Sequence, residues 1–278
     1  MTENKITIVI TSYKSDKKII SCLESIDPQY KVIIIENSKD QIFKNKIEKK
    51  FTNVECIIAG ENLGYAKGNN LGLSKVKTKY ALILNPDAIL QKNTIENFFT
   101  TANKLKTFAI IAPAIQESNT ETKIKSLTAV TSVKGFAMFM NLEEFKSIGF
   151  FDKNFFIYME EIDLCKRLVD EKKIIFLDPE IIIKHQGGSS HDEEYNFEME
   201  LSRNWHWMWS SFYFSKKYNG YFFSLVVFSK KIISSLFKSI FYFITMNKQK
   251  RLIYFFRLSG LFNSIIGKTS WYRPFNNN

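Results

Sequence analysis

Along the first part of the chain, short unbroken apolar runs alternate with amphipathic stretches. ITIVIT (6–11), KVIIIE (31–36), VECIIA (54–59), YALIL (80–84) and FAIIA (108–112) are largely apolar and rich in β-branched residues. That is the pattern of strands buried on both faces. The segments 16–26, 40–50, 65–76 and 93–104 between them read as helices. Strand–helix alternation at this interval predicts a parallel sheet with helices on both sides. Such sheets bind ligands beyond the carboxyl ends of their strands. A further helix is predicted over 159–169, with Ile162, Cys165 and Val169 sharing its buried stripe. Two more are predicted over roughly 219–245 and 248–265.

The residues just past each strand therefore matter most. They are Thr11-Ser12-Tyr13, Glu36-Asn37-Ser38, GENLGYAKGNNLG (60–72) and Asn85-Pro86-Asp87. The glycine-rich stretch is neither G-x-x-x-x-G-K-[ST] nor G-x-G-x-x-G, so neither a P-loop nor a dinucleotide fingerprint is present. Gly60, Gly64, Gly68 and Gly72 recur every fourth residue, which suits close approach of backbone to a ligand or a neighbouring element. Asn62, Asn69 and Asn70 are then placed to bond a sugar or a base. Asp87 follows a buried strand and a stiffening proline; a carboxylate fixed there suits a hard cation such as Mg2+ or Mn2+. It equally fits a turn aspartate that caps the next segment.

In FFIYMEEIDLCKRL (155–168), Glu160, Glu161 and Asp163 crowd beside an aromatic run. Crowding and an apolar neighbourhood raise a carboxyl pKa, as a general base requires. On a helix, Asp163 stands one turn before Arg167, the spacing of an ion pair. Acids at a helix N-terminus are also favoured by its dipole alone.

Composition adds a division. The chain has 278 residues, enough for one large α/β domain with an appendage. Residues 201–278 hold 12 Lys+Arg, no Asp or Glu, and 22 of the 42 aromatic residues. A nearly neutral body thus precedes a basic, aromatic tail. Within the two helices predicted over 218–267 the longest uncharged stretch, 218–229, falls short of the roughly 20 residues of a membrane span. The tail's spacing of Phe, Leu and Ile with Lys and Arg fits helices lying in a membrane interface, or a surface for packing or a homodimer. No nucleic-acid-reading motif accompanies the charge, so no nucleic acid partner is expected. Cys22, Cys56 and Cys165 are scattered and odd in number, giving no disulfide framework. The N-terminus MTENKITIVITSYK turns polar within a dozen residues, so no signal peptide is read there. The expected setting is reducing and cytoplasmic.

Taken in order, TIVITSYKS, VIIIENS, ENLGYAKGNNLG, LILNPDA, GFFDKNFFIYMEEIDLCKRL and IIIKHQGGSS resemble the inverting family-2 glycosyltransferases of GT-A fold, in their rhamnosyltransferase-like branch. The likeness runs over roughly residues 5–215. It implies a Rossmann-like α/β nucleotide-sugar-binding domain over 1–215 and a C-terminal amphipathic helical extension over 216–278. By that resemblance Thr11 and Tyr13 flank the nucleotide, Glu36 stands where the family has Asp against the base, and Asn62 and Asn69 sit near the nucleotide-sugar. Asn85 and Asp87 take the place of the family's D-x-D motif, with Asp87 and His185 as ligands of Mg2+ or Mn2+. A simple structural turn also fits His185. Glu161 occupies the general-base position, with Asp163 and Glu160 as the other candidates. Gly135 and Phe136 line the same pocket. The implied reaction moves a sugar, L-rhamnose from dTDP-rhamnose, with inversion onto a lipid-linked polysaccharide precursor at the inner membrane face. UDP-galactofuranose or another UDP-hexose is the alternative donor. A nucleotidyltransferase, or a non-catalytic membrane-docked protein, are the readings of other classes.

Overall fold

The computed structural model describes residues 5–115, 125–185 and 190–275. The chain divides into two compact units. One comprises residues up to Phe151 and Glu161–Glu193; the other comprises Asp152–Glu160 and the residues from Glu194 onward.

In the first unit β1 (Ile6–Ser12), α1 (Lys18–Glu24), β2 (Lys31–Glu36), α2 (Gln41–Lys50), β3 (Val54–Ile58), α3 (Gly64–Leu73) and β4 (Tyr80–Leu84) follow the predicted alternation. Then come β5 (Ala88–Leu90), α4 (Thr94–Lys104), β6 (Ile110–Ile115), β7 (Thr128–Val130), β8 (Ala137–Asn141), α5 (Glu160–Asp170) and β9 (Ile175–His185). The spatial order is β3-β2-β1-β4-β8-β6-β9-β5, with β7 on β9. β3, β2, β1 and β4 run parallel, as expected for near-continuous Ile/Val runs buried on both faces. Beyond β4 the expectation of a parallel sheet fails. β8 runs antiparallel to both β4 and β6, and β9 pairs parallel with β6 and antiparallel with β5 and β7. The mixed half carries the second part of the site.

Each local choice has a cause. Asp40 caps α2, its carboxylate accepting from Phe43 N at 2.8 Å. In α3 two glycines permit close contact with the sheet. A methyl on Gly68 would lie 2.6 Å from Thr11 Cγ2, and one on Gly72 would overlap Val9 Cγ1. The four-residue glycine period thus serves helix-on-sheet packing at these two positions. In α5 the buried apolar residues are Leu164, Cys165 and Leu168; Ile162 and Val169 are more than one-third exposed. The expected stripe was one residue out of phase, because the polar positions Glu160 and Asp163 are the buried ones.

The second unit holds α6 (Asn196–Asn219), α7 (Tyr221–Ile244) and α8 (Lys248–Ile265). Gly220, with φ +87°, breaks α6 from α7. His206 is wholly buried, its ring nitrogens 3.0 Å from Tyr272 O and from Ser270 Oγ. Burial pushes its pKa well below the usual histidine value, with Arg273 adding to the effect. Asp152 accepts from Tyr213 Oη at 3.1 Å and from Lys217 Nζ at 2.8 Å, which ties the 152–160 segment to α6. Among the described residues, no helix is long and apolar enough to cross a membrane.

Candidate active site

Strand register brings the predicted loops to one edge. Ser12 of β1 pairs with Glu36 of β2, and Glu36 with Ile58 of β3, so the three loops leave the sheet at one level. Asn37 N donates to Ser12 O at 2.9 Å, and Lys14 N to Ser38 Oγ at 2.9 Å. Thr11 is half-buried beneath α3, and its hydroxyl has no partner among the described residues. Tyr13 N donates to Ser15 Oγ at 3.3 Å, which shapes the turn after β1.

The remaining residues expected on the donor side make hydrogen bonds within the protein itself. Glu36, expected against the base, is buried; its two carboxylate oxygens accept from Ser38 N at 2.7 Å and Asp40 N at 2.8 Å. The methylene by which Glu exceeds Asp lets the carboxylate fold back onto its own loop. Asn69, expected near the nucleotide-sugar, is wholly buried; its Nδ2 donates to Tyr65 O at 3.0 Å within α3, and its Oδ1 has no partner among the described residues. Asn62 makes a local turn, accepting from Gly64 N at 3.1 Å. Asn70 donates to Phe151 O at 2.8 Å and accepts from Phe151 N at 3.0 Å. It therefore holds the loop ahead of the acid cluster.

Asp87 and His185 meet through the sheet. Ala88 pairs with His185 in the β5–β9 ladder, so the residue before Ala88 and the end of β9 are neighbours. His185 Nε2 lies 3.4 Å from Asp87 Oδ1, and the side chains are 14% and 2% exposed. Ser190 Oγ donates to Asp87 Oδ1 at 2.9 Å, and Asn85 Nδ2 lies 3.5 Å from His185 Nε2. Burial alone would raise the Asp87 carboxyl; the hydrogen bonds and charge of His185, with the Ser190 hydroxyl, outweigh it and hold the carboxyl below the usual aspartate value. The QGGS stretch after His185 lies outside the described residues. Two protein ligands of one small divalent ion at about 2.1 Å stand roughly 3.0–3.5 Å apart. The Asp87–His185 separation fits that, with one hard oxygen and one imidazole nitrogen. Among the described residues no group of three or more His, Cys, Asp or Glu is gathered to hold a metal. A divalent ion would thus take its further ligands from phosphate oxygens or water.

On the other side, Glu161 opens the first turn of α5. Burial raises its carboxyl above the ordinary glutamate value, against its own and Ile162's backbone N–H groups, which lower it. Asp163 does a different job. It is wholly buried and accepts from Arg167 Nε at 2.8 Å. Arg167 also donates through Nη1 to Ile148 O at 3.0 Å and through Nη2 to Phe150 O. The pair foreseen from the i, i+4 spacing therefore clamps the 148–150 loop onto α5. Glu160, the first residue of α5, is buried. Tyr158 and Met159 just before it both have φ near +70°, a strained pair for side-chain-bearing residues.

Two adjacent residues bring both sides together. A methyl on Gly135 would lie 3.5 Å from Glu161 Cβ and 3.0 Å from Tyr65 Oη, whose hydroxyl donates to Gly135 O. The next residue, Phe136, stacks on the His185 ring with centroids 4.6 Å apart and accepts from Asn85 N at 2.8 Å. Glu161 and the Asp87–His185 pair thus border one short segment of the first unit. Tyr65, Asn70 and Ser190 were not singled out for these roles from sequence; only Arg167 had a spacing signal.

A parallel half-sheet continued by a mixed half, with a carboxylate–imidazole pair past its strand ends, has the architecture of a GT-A fold. Residues 7–165 match the family described as Glycosyl transferase family 2, and the chain belongs to that family. It is 26% identical over 189 residues to the low-salt glycan biosynthesis hexosyltransferase Agl10 of Haloferax volcanii, covering 58% of this chain and 61% of that protein. It is 26% identical over 201 residues to the rhamnosyltransferase WbbL of Escherichia coli K12, covering 58% of this chain and 75% of that protein. Among solved structures, the mannosyltransferase PcManGT from Pyrobaculum calidifontis, in complex with GDP-Man and Mn2+, superposes with a TM-score of 0.60 over 94% of this chain and 87% of its own. At 9% identity that likeness is one of fold. Family membership disfavours the nucleotidyltransferase alternative.

Proposed function

We propose that this chain is an inverting, divalent-metal-dependent glycosyltransferase. It transfers a sugar from a nucleoside diphosphate donor onto a lipid-linked glycan precursor, working peripherally on the cytoplasmic face of the cell membrane. The observation that carries the reading is the convergence of Glu161 and the Asp87–His185 pair on Gly135–Phe136. Asp87 and His185 would hold Mg2+ or Mn2+, which when bound supplies positive charge against the diphosphate leaving group. Thr11 and Tyr13 border the nucleotide end. Glu161 accepts the proton of the acceptor hydroxyl as that oxygen attacks the anomeric carbon. Its raised proton affinity matches that task, and attack opposite the leaving group inverts the anomeric centre. Asp163 and Arg167 hold the acceptor-side loop in place.

The donor we favour is dTDP-L-rhamnose, on the similarity to the E. coli rhamnosyltransferase. The similarity to a hexosyltransferase keeps UDP-galactofuranose or another UDP-hexose as the second choice. A thermal-shift screen of nucleotide-sugars, each with and without Mn2+, tests class and donor together. A donor present at a hundred times its Kd stabilises by about 2.7 kcal/mol, so its cognate nucleotide-sugar raises Tm by several degrees, more with Mn2+ than without. A screen in which no nucleotide-sugar shifts Tm under either condition overturns the proposal.

A further inference from the structure

Helix α7 of the second unit carries a large apolar face turned outward. On α7 the residues turned inward include Ser224, Phe228 and Ser235, all buried. The positions opposite are Phe222, Val226, Ile233, Phe237, Ile240 and Ile244, which are 52–81% exposed. Their spacing of four, seven, four, three and four residues puts them on one face. The inner contacts join an apolar cluster of Met208, Phe212, Phe228 and Leu261 to small and polar ones. Ser215 and Ser224 hydroxyls are 2.7 Å apart, Ser264 Oγ donates to Trp209 O at 3.0 Å, and Gly260 lets α8 approach the Trp205 backbone. Helices in water place apolar residues inside. On α7 large apolar side chains also line the outer side, and an exposed apolar surface of that extent marks a site of interaction.

Yet none of these helices is suited to span a bilayer. Lys230 and Lys231 interrupt α7 near its middle; Lys230 borders the apolar face, and Lys231 and Lys238, two turns apart, lie farther round, next to the inner side. Lys231 Nζ sits 4.4 Å from the Phe228 ring centroid, and Lys238 Nζ 5.1 Å from that of Tyr254. An apolar face with cations along its flank is the design of a helix lying in the plane of a membrane surface. Charge decides between this occupant and a second copy of the chain. Residues 201–278 carry 12 Lys+Arg and no acid, so two copies face to face would bring cations together with no carboxylate from this region between them. Anionic headgroups supply the missing charge.

We propose that α7 docks the protein on an anionic bilayer in one leaflet, with the Phe222–Ile244 face immersed and Lys231 and Lys238 at the level of the lipid phosphates. The proposal deepens the reading of a lipid-linked acceptor by naming the surface and the lipid class.

The test is co-sedimentation of the full chain with vesicles of phosphatidylglycerol and phosphatidylcholine, or of phosphatidylcholine alone. The wild type binds the anionic vesicles more than about tenfold more tightly than the neutral ones. The triple variant Ile233→Ser, Phe237→Ser, Ile240→Ser loses about tenfold or more in vesicle affinity. The pair Lys231→Gln, Lys238→Gln loses the preference for anionic lipid. Both variants keep the nucleotide-sugar thermal shift of the wild type, which also shows that they fold. Unchanged vesicle binding by the serine variant overturns the docking proposal. So does a lipid-free dimer that the same substitutions dissociate. Vesicle binding without any nucleotide-sugar response supports docking and overturns only the proposed reaction.

Discussion

Glu161 and Asp163 stand two positions apart on α5 and have opposite environments. Asp163 has a half-buried cationic partner in Arg167; Glu161 has its own and Ile162's N–H dipoles against the cost of burial. Its folded-state pKa is raised, so its contribution to stability is full below the ordinary value of 4.5 and is lost as pH rises through the folded value. At neutral pH an ionised Glu161 therefore works against folding. Glu161→Gln should raise Tm above wild type at neutral pH, and the difference should vanish as the pH falls below 4.5. Asp163→Asn should lower Tm, costing about 2 kcal/mol by removing the carboxylate that pairs with half-buried Arg167. Thermal unfolding of both variants across pH checks the assignment. A Glu161→Gln protein no more stable than wild type at neutral pH contradicts it. The neighbouring acids could be told apart in the sequence only in part. The i, i+4 spacing announced the Arg167 pair, but nothing local showed that Arg167 also reaches Ile148 and Phe150.

At the scale of elements, β1 to β4 were legible because each is a largely apolar run, broken in β3 only by the exposed Glu55, with a parallel partner on at least one side. β5 and β7 are three residues each, too short for any periodicity, and β8, AMFMN, lacks the β-branched residues that mark a strand. These strands are specified by non-local pairing, and so was the link between Asp87 and His185, 98 positions apart in the chain. Glu36 and Asn69 were placed by the resemblance, and nothing in the sequence showed that Glu36 accepts from Ser38 N and Asp40 N or that Asn69 donates to Tyr65 O within α3. Glycine was informative where elements touch. In the second unit a methyl on Gly260 would overlap the Trp205 carbonyl oxygen, and backbone cannot rotate aside as a side chain can. Gly260→Ala should cost about 3 kcal/mol through overpacking of α8 against α6. Urea unfolding followed by tryptophan fluorescence measures it. A cost under about 0.5 kcal/mol would mean that the two helices are not in this contact.

For the whole molecule, the division of charge and chemistry is the main result. The first unit carries the sheet edge, the Asp87–His185 pair and Glu161; the second carries the basic helices and their outward apolar face. Family membership fixes the fold of the first. The proposed reaction requires two separable functions around one sugar, a metal-supported donor site and a proton acceptor. Mn2+-dependent binding of the donor by calorimetry, set beside transfer rate, in Asp87→Asn and Glu161→Gln separates them. The account predicts that Asp87→Asn loses Mn2+-dependent donor binding, whereas Glu161→Gln binds donor as wild type and slows transfer by about 10²–10⁴-fold. Full transfer by Glu161→Gln, or unchanged Mn2+-dependent binding by Asp87→Asn, would contradict it.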